Sequence, residues 1–182
     1  MVIAVDMDNC LCNLQEVVVD LFNKRHKTNY TIEDFTDYDV AQILPKNDAI
    51  LMKTMYGENN LYSNVKPLYG AQKAIEKLIN AGHQVYVVSD VIPKTYAEKS
   101  EWLKFYFPHI DDAHIVAMKH KHLFRCDVMI EDNLQNLLAK PYYERICFDY
   151  AWNRRVSDYT YGIHRVNSWN EVLDVINKLD LE

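Results

Sequence analysis

Short apolar runs that stop at polar residues recur along this chain. Each run contains three or four mainly aliphatic side chains and is followed by charged or hydroxyl-bearing residues. Strands that are buried on both faces of a parallel sheet have this composition, because helices cover both of their surfaces. The pattern therefore predicts strands at residues 2–5, 85–88, 115–118, 128–130 and 146–148.

Between these runs the apolar residues take the spacing of amphipathic helices. Such a stripe covers residues 71–81, and Gly82 stands where a C-terminal cap belongs. A second stripe covers residues 102–107, and a third follows the capping-box pair Ser168 and Glu171. Strands and helices that alternate in this way predict an α/β fold, a doubly wound parallel sheet with a Rossmann-type core.

The segment between the first predicted strand and Pro67 interrupts this alternation. It carries two apolar sets at helical spacing and no convincing strand. We interpret residues 14–66 as a small helical cap inserted after the first strand. Residues 1–13 and 67–182 then form the α/β core.

The composition is that of one globular domain with no membrane span. The chain has 182 residues, of which 49% are hydrophobic and 25% charged, and its net charge is −6. The acidic balance disfavours nucleic acid polymers and anionic membranes as partners. No run approaches the roughly 18 apolar residues that a membrane span needs, and the N-terminus lacks the basic region of a signal peptide. Four cysteines without such a signal predict reduced thiols and a cytoplasmic location.

Complementary polar groups follow the predicted strands at their carboxyl ends, which is where open parallel sheets bind ligands. Asp6 and Asp8 lie two positions apart, so that both carboxylates can face one ligand. The later strands are followed by a hydroxyl, an ammonium and two carboxylates, those of Ser89, Lys121, Glu131 and Asp132. Carboxylates gathered at one edge repel one another unless a hard cation lies among them. Oxygen ligands completed by water and a substrate phosphate are typical of Mg²⁺.

Taken in order, these strand-end residues resemble the four motifs of the haloacid dehalogenase superfamily of phosphohydrolases. The likeness extends to the 5′(3′)-deoxyribonucleotidase family within it. The segments that resemble that family are residues 5–8, 66–71, 98–102, 127–133 and 148–153. They span nearly the whole predicted core, whereas the predicted cap is similar only in its helical character. The resemblance implies a phosphomonoesterase whose substrate is a small molecule, a deoxyribonucleoside monophosphate.

The resemblance also implies a role for each of these residues. Asp6 would attack phosphorus and form an aspartyl-phosphate. Asp8 would donate a proton to the leaving ribose oxygen and later accept one from the hydrolytic water. Ser89 and Lys121 would hold the phosphoryl oxygens and stabilise their charge in the transition state.

A magnesium site is part of the same implication. The carboxylates of Asp6 and Asp132 and the backbone carbonyl of Asp8 would hold Mg²⁺, which screens the nucleophile from the anionic phosphate. Asp127 and Glu131 would orient metal-bound waters or the lysine that follows the third strand.

Three residues depart from the family pattern. Asn9 stands where Gly usually follows the second aspartate, and Asn tolerates the left-handed backbone of such a turn. Asp90 replaces a small neutral residue, and a carboxylate there calls for pairing with Lys94 or a backbone amide. Glu131 stands where Asp is common, and its longer side chain is expected to shift the water shell.

Several alternatives stay open at this point. The substrate could be another small phosphomonoester such as a sugar phosphate, or the chain could be a non-catalytic nucleotide-binding member of the superfamily. Tyr56 and Tyr62 either stack on a base or pack inside the cap. Lys99, beside Glu98 on a predicted helix, is interpreted as structural. A homodimer is expected only because dimers are common.

Overall fold

A parallel sheet of six strands forms the centre of the computed structural model, which describes residues 1–139 and 142–181. The strands are β1 Val2–Val5, β2 Gln84–Ser89, β3 Ile115–Ala117, β4 Val128–Glu131, β5 Glu144–Phe148 and β6 Ile163–Val166. Their order across the sheet is β3-β2-β1-β4-β5-β6, and every neighbouring pair is parallel. The predicted doubly wound α/β fold is confirmed.

The strand β6 is the one that the apolar pattern misses. Among the described residues it lies at the edge of the sheet and pairs with β5 alone. Ile163 and Val166 are buried at its ends, while His164 and Arg165 between them are partly exposed. An edge strand that is covered on one side does not need an uninterrupted apolar run, so its sequence signal is weak.

Both faces of the central strand β1 are covered. Ile3 and Val5 belong to one buried cluster and Ala4 belongs to a second, as expected when successive side chains point to opposite faces. All three are completely buried. This double burial explains why the strand reads as a continuous apolar run.

Seven helices surround the sheet in the described residues: α1 Leu14–His26, α2 Lys46–Met55, α3 Ala71–Asn80, α4 Tyr96–Tyr106, α5 Leu134–Leu138, α6 Asp158–Tyr161 and α7 Trp169–Leu179. Two predicted caps are present. Gly82 follows α3 with a φ of 88°, and the Oγ of Ser168 accepts a hydrogen bond from the N–H of Glu171 at 3.3 Å. None of the helices within residues 1–139 and 142–181 is long and apolar enough to cross a bilayer.

Residues 14–66 form a mainly helical segment whose two ends lie next to each other. The segment contains α1, α2 and three single 3₁₀ turns. At its base, the N–H of Asn13 donates to the carbonyl of Lys66 at 3.1 Å, and the N–H of Lys66 donates to Oδ1 of Asn13 at 2.9 Å. Phe22 and Phe35 share one buried cluster with residues of the sheet. The segment therefore packs directly onto the core beside the carboxyl end of β1.

Candidate active site

The turn after β1 places two aspartates at the carboxyl edge of the sheet. The N–H of Asp6 donates to the carbonyl of Ile130 at 2.9 Å and so extends the pairing with β4 by one residue. Asn9 has a φ of 60°, the left-handed conformation expected at this position. Its Nδ2 donates to Oδ2 of Asp132 at 3.0 Å, and its Oδ1 accepts from the N–H of Gln15 at 2.9 Å. The asparagine therefore preserves the turn and ties it to β4 and α1.

A buried lysine joins two of the strand-end carboxylates. Lys121 Nζ lies 2.6 Å from Oδ2 of Asp6 and 2.6 Å from Oε1 of Glu131. Oε1 of Glu131 also accepts from Nδ2 of Asn136 at 2.7 Å, and its Oε2 accepts from the next two backbone N–H groups at 3.0 Å each. Glu131 is thus fully hydrogen-bonded, and it holds the lysine beside Asp6.

Three carboxylates gather around this lysine and could hold a metal ion. One oxygen from each of Asp6, Glu131 and Asp132 lies within 4.8 Å of the others. Burial, followed by the charge of Glu131, raises the pKa of Asp6 to about 7. The same two causes raise the pKa of Asp132 well above its ordinary value. Burial acts against Glu131 as well, but Lys121 holds its pKa below the usual range.

This donor set fits a small hard cation. The ligand atoms are all carboxylate oxygens, and one buried ammonium does not balance three buried carboxylates. Burial first, and then the charge of Glu131, raises the pKa values of Asp6 and Asp132, so a bound cation would stabilise their ionised forms. Among the described residues the Glu131 carboxylate accepts four hydrogen bonds, whereas Asp6 has one partner on each oxygen and the Asp132 carboxylate accepts one hydrogen bond, so Asp6 and Asp132 are the better ligands.

The structure brings a second lysine into the site, which the sequence analysis missed. Lys99 on α4 is 6% exposed, and its Nζ lies 2.6 Å from Oδ2 of Asp8. The same Nζ donates to Oγ of Ser89 at 2.9 Å and to the carbonyl of Asp90 at 2.7 Å. The one available signal was its place in the family-like segment 98–102, because a lysine on a helix otherwise reads as a surface residue.

Tyr56 and Tyr62, the two tyrosines considered for base stacking, both form hydrogen bonds through their hydroxyl groups. The hydroxyl of Tyr62 donates to Oδ1 of Asp8 at 2.8 Å. Burial and the charge of Asp8 raise the pKa of Tyr62 well above its ordinary value, so the hydroxyl keeps its proton and remains a donor. The hydroxyl of Tyr56 donates to Oε1 of Gln15. Both rings line the cavity described next.

A cavity of about 480 Å³ opens above Asp8. Residues 14–66 and the core both contribute to its wall. Its lining includes Asn9, Leu14, Gln15, Phe35, Asp37, Tyr38, Asp39, Val40, Lys53, Tyr56, Tyr62, Asp90, Ile92, Thr95, Lys99, Gln135 and Trp152. Its volume suits a small organic ligand.

Two expectations about acidic residues are corrected. Asp127 precedes β4, so it lies at the amino edge of the sheet, where its Oδ2 accepts from the N–H of Val2 at 2.6 Å. It therefore orients neither a metal at the carboxyl edge nor Lys121. Asp90 is exposed, and within residues 1–139 and 142–181 its carboxylate forms no ion pair, with Lys94 or any other residue. Its backbone carbonyl, not its side chain, serves the site by accepting from Lys99.

Comparisons with known proteins identify the family of this chain and a fold that it shares. The model of the family described as 5′ nucleotidase, deoxy (pyrimidine), cytosolic type C protein matches residues 1–180. The 5′(3′)-deoxyribonucleotidases of Bacillus subtilis strain 168 and of Bacillus phage SPbeta are each 29% identical to this chain over 175 residues, covering 94% of this chain and 95% of theirs. A haloacid dehalogenase family hydrolase from Deinococcus radiodurans R1 superposes with a TM-score of 0.67 at 14% identity, covering 99% of this chain and 96% of that one. The last likeness shows a common fold.

Proposed function

We propose that this chain, a phosphatase that belongs to the family of 5′ nucleotidase, deoxy (pyrimidine), cytosolic type C proteins, hydrolyses deoxyribonucleoside monophosphates to nucleoside and phosphate. One observation carries the chemistry. Asp6 is paired with the buried Lys121, and beside it Asp8 opens into a cavity of small-molecule size. The family match supports the deoxyribonucleotide as substrate. We also keep the cytoplasm as the proposed location.

In the first half of the proposed reaction, an oxygen of Asp6 attacks phosphorus. Asp8 donates its proton to the departing ribose oxygen as the P–O bond breaks, which leaves a phosphoryl group on Asp6. Lys121 and Ser89 hold the phosphoryl oxygens, whose charge they stabilise in the transition state. Lys99 lies 2.9 Å from the Ser89 hydroxyl, so it is placed to add a second positive charge there.

The second half returns the enzyme to its starting state. Asp8, now without its proton, takes one from a water molecule that attacks the phosphoryl group on Asp6. The bond between Asp6 and phosphorus breaks, and phosphate leaves with the oxygen of the water. Because Asp8 accepts the proton that it later donates again, no other acid is needed.

Asp6 and Asp132, with the Asp8 backbone carbonyl, would hold Mg²⁺. The fit rests on the carboxylate oxygens and on their uncompensated charge. When bound, the cation would supply charge neutralisation between the nucleophile and the anionic phosphate. Glu131 would act through Lys121, which it holds at 2.6 Å.

The wall of the cavity supports a substrate larger than a bare phosphate ester. Residues 14–66 supply apolar and aromatic side chains to it, among them Leu14, Phe35 and Tyr56. We propose that this segment acts as a cap that covers the nucleoside. A sugar phosphate, the alternative substrate, would leave most of this apolar surface unused.

A substrate panel tests the proposal. Phosphate release with Mg²⁺ would be measured from deoxyribonucleoside and ribonucleoside 5′-monophosphates, sugar phosphates and p-nitrophenyl phosphate. We expect the highest kcat/KM for deoxyribonucleotides. A preference for sugar phosphates would show that the proposed reaction is right but the proposed substrate is wrong. Activity on p-nitrophenyl phosphate alone would contradict the proposal that nucleotides are substrates. If no compound of the panel releases phosphate, the proposed reaction is contradicted.

A further inference from the structure

We infer that Tyr62 is a positioning residue for Asp8: its hydroxyl fixes the carboxylate that exchanges a proton with the leaving oxygen. The inference rests on the proposed function, because Asp8 has that role only in phosphomonoester hydrolysis. It replaces base stacking as the task of this tyrosine.

The carboxylate of Asp8 is held from two sides. Tyr62 donates to Oδ1 at 2.8 Å, and Lys99 donates to Oδ2 at 2.6 Å. The lysine has two further acceptors, the Oγ of Ser89 and the carbonyl of Asp90, which anchor it independently of Asp8. At Oδ1 the Tyr62 hydroxyl is the close donor, since the Cys12 Sγ lies 3.7 Å away, and the hydroxyl therefore sets the rotation of the carboxylate about the Cβ–Cγ bond.

Tyr62 itself is almost fully buried and has little surface to offer a base. It is 4% exposed and lies in the 3₁₀ turn Leu61–Ser63. The Nζ of Lys99 lies 5.7 Å from the centroid of its ring, so the ring also packs against the lysine that binds the other oxygen of Asp8. A ring enclosed in this way positions its hydroxyl better than it stacks on a substrate.

The position of Tyr62 in the chain links the inserted segment to the chemistry. It belongs to residues 14–66, whereas Asp8 belongs to the turn after β1. Proton donation depends steeply on where the donor oxygen sits relative to the leaving oxygen. Displacement of this segment from the core would thus release Asp8 from its hydrogen bond with Tyr62.

The leaving group makes this role measurable. A ribose oxygen departs poorly unless it receives a proton, whereas p-nitrophenolate departs without one. In kcat/KM, which reports only the first half of the reaction, a residue that positions the proton donor therefore has a large effect with nucleotides and little effect with p-nitrophenyl phosphate. A residue that only maintains the fold affects both esters alike, and a residue that stacks on the base changes KM for nucleotides alone.

Tyr62→Phe, which keeps the ring and removes the hydroxyl, is the test. We expect kcat/KM for the preferred deoxyribonucleotide to fall about tenfold or more, as the loss of a hydrogen bond to a charged group does. KM for that nucleotide should stay within about twofold, and kcat/KM for p-nitrophenyl phosphate within about threefold. Tyr30→Phe is the matched control, because the Tyr30 hydroxyl donates to the Asp48 carboxylate at 3.1 Å in the same segment and lies outside the cavity.

Equal losses of kcat/KM on the two esters, or a rise of KM for nucleotides alone, would overturn the inference. A series of phosphate esters whose leaving groups differ in basicity keeps it separate from the proposed substrate. If the wild type hydrolyses such esters but no nucleotide, the proposed function fails while Tyr62 remains testable. In that series Tyr62→Phe must depend more steeply on leaving-group basicity than the wild type, and parallel slopes would refute the role.

Discussion

The ammonium of Lys99 lies 2.6 Å from Oδ2 of Asp8, although 91 positions separate the two residues in sequence. Three oxygens surround this ammonium, those of Asp8, Ser89 Oγ and the carbonyl of Asp90. It therefore connects the end of β1 with the end of β2. Together with Lys121, which connects the ends of β1 and β4, it surrounds the two aspartates with fixed positive charge.

Lys99→Met tests the importance of that charge. We expect kcat/KM to fall by about 100-fold, because one charged donor is removed from the place where phosphoryl oxygens would bind. The inhibition constant of inorganic phosphate should rise as well. Lys104→Met is the matched control, since Lys104 lies on the same helix and pairs at the surface with Asp112 at 2.8 Å. Activity of Lys99→Met within about threefold of the wild type would show that the lysine is structural.

Asp6→Asn tests the nucleophile. An amide cannot form the phosphoryl intermediate, so turnover should fall roughly a thousand-fold or more while the chain still folds. Phosphate release and thermal unfolding are the measurements. Asp127→Asn makes the same chemical change at the amino edge of the sheet and should leave turnover unaltered. If both variants retain activity, the phosphatase in the preparation is a contaminant.

Metal binding should weaken as the pH falls from 8 to 6. The pKa of Asp6 is raised to about 7, so below that pH the metal-free site holds a proton that the cation must displace. The raised pKa also means that ionised Asp6 destabilises the metal-free fold. The melting temperature of the metal-free protein should therefore drop as the pH rises from the ordinary pKa of 3.8 toward 7 and level off above it, and Mg²⁺ should restore it.

Calorimetry in buffers of different ionisation enthalpy measures both the affinity for Mg²⁺ and the protons released. Asp6→Asn is the internal control, because it removes one of the titrating groups. An affinity that stays constant between pH 6 and pH 8 would contradict the prediction.

Gln15 should influence which base is accepted. Its side chain is buried in the cavity wall, and its Oε1 accepts from the Tyr56 hydroxyl. Its amide nitrogen has no hydrogen-bond partner in the part of the chain that the structure describes, so it can donate to a carbonyl oxygen of a base. We expect Gln15→Glu to reduce kcat/KM for thymine and uracil nucleotides about tenfold relative to cytosine nucleotides.

Selectivity among bases, not overall rate, is the measurement for this variant. Gln135→Glu introduces the same charge at an exposed position on the rim of the cavity and serves as its control. If both variants change the ratio of thymine to cytosine nucleotides equally, the effect comes from the added charge and not from contact with the base.

Much of the fold could be predicted because it depends on local pattern. The buried strands β1, β2 and β4 read as apolar runs, and α3 and α7 have apolar stripes with caps at the expected residues. The positions of Asp6, Ser89 and Lys121 follow from the same pattern. Parallel strands bring the residues after their carboxyl ends to one edge, so adjacency at the site follows from the order of the elements.

By itself, then, the sequence determined the doubly wound sheet and the set of polar groups at its carboxyl edge. Only the tertiary structure decided that Lys99 and Tyr62 bind the two oxygens of Asp8. It also decided that Glu131 is fully occupied by hydrogen bonds. The physical reason is that helical and strand periodicity record which side of an element is buried. Periodicity does not show which atoms come into contact when residues lie far apart in sequence. Tyr62 is 54 positions and Lys99 91 positions from Asp8, and close packing decides those contacts.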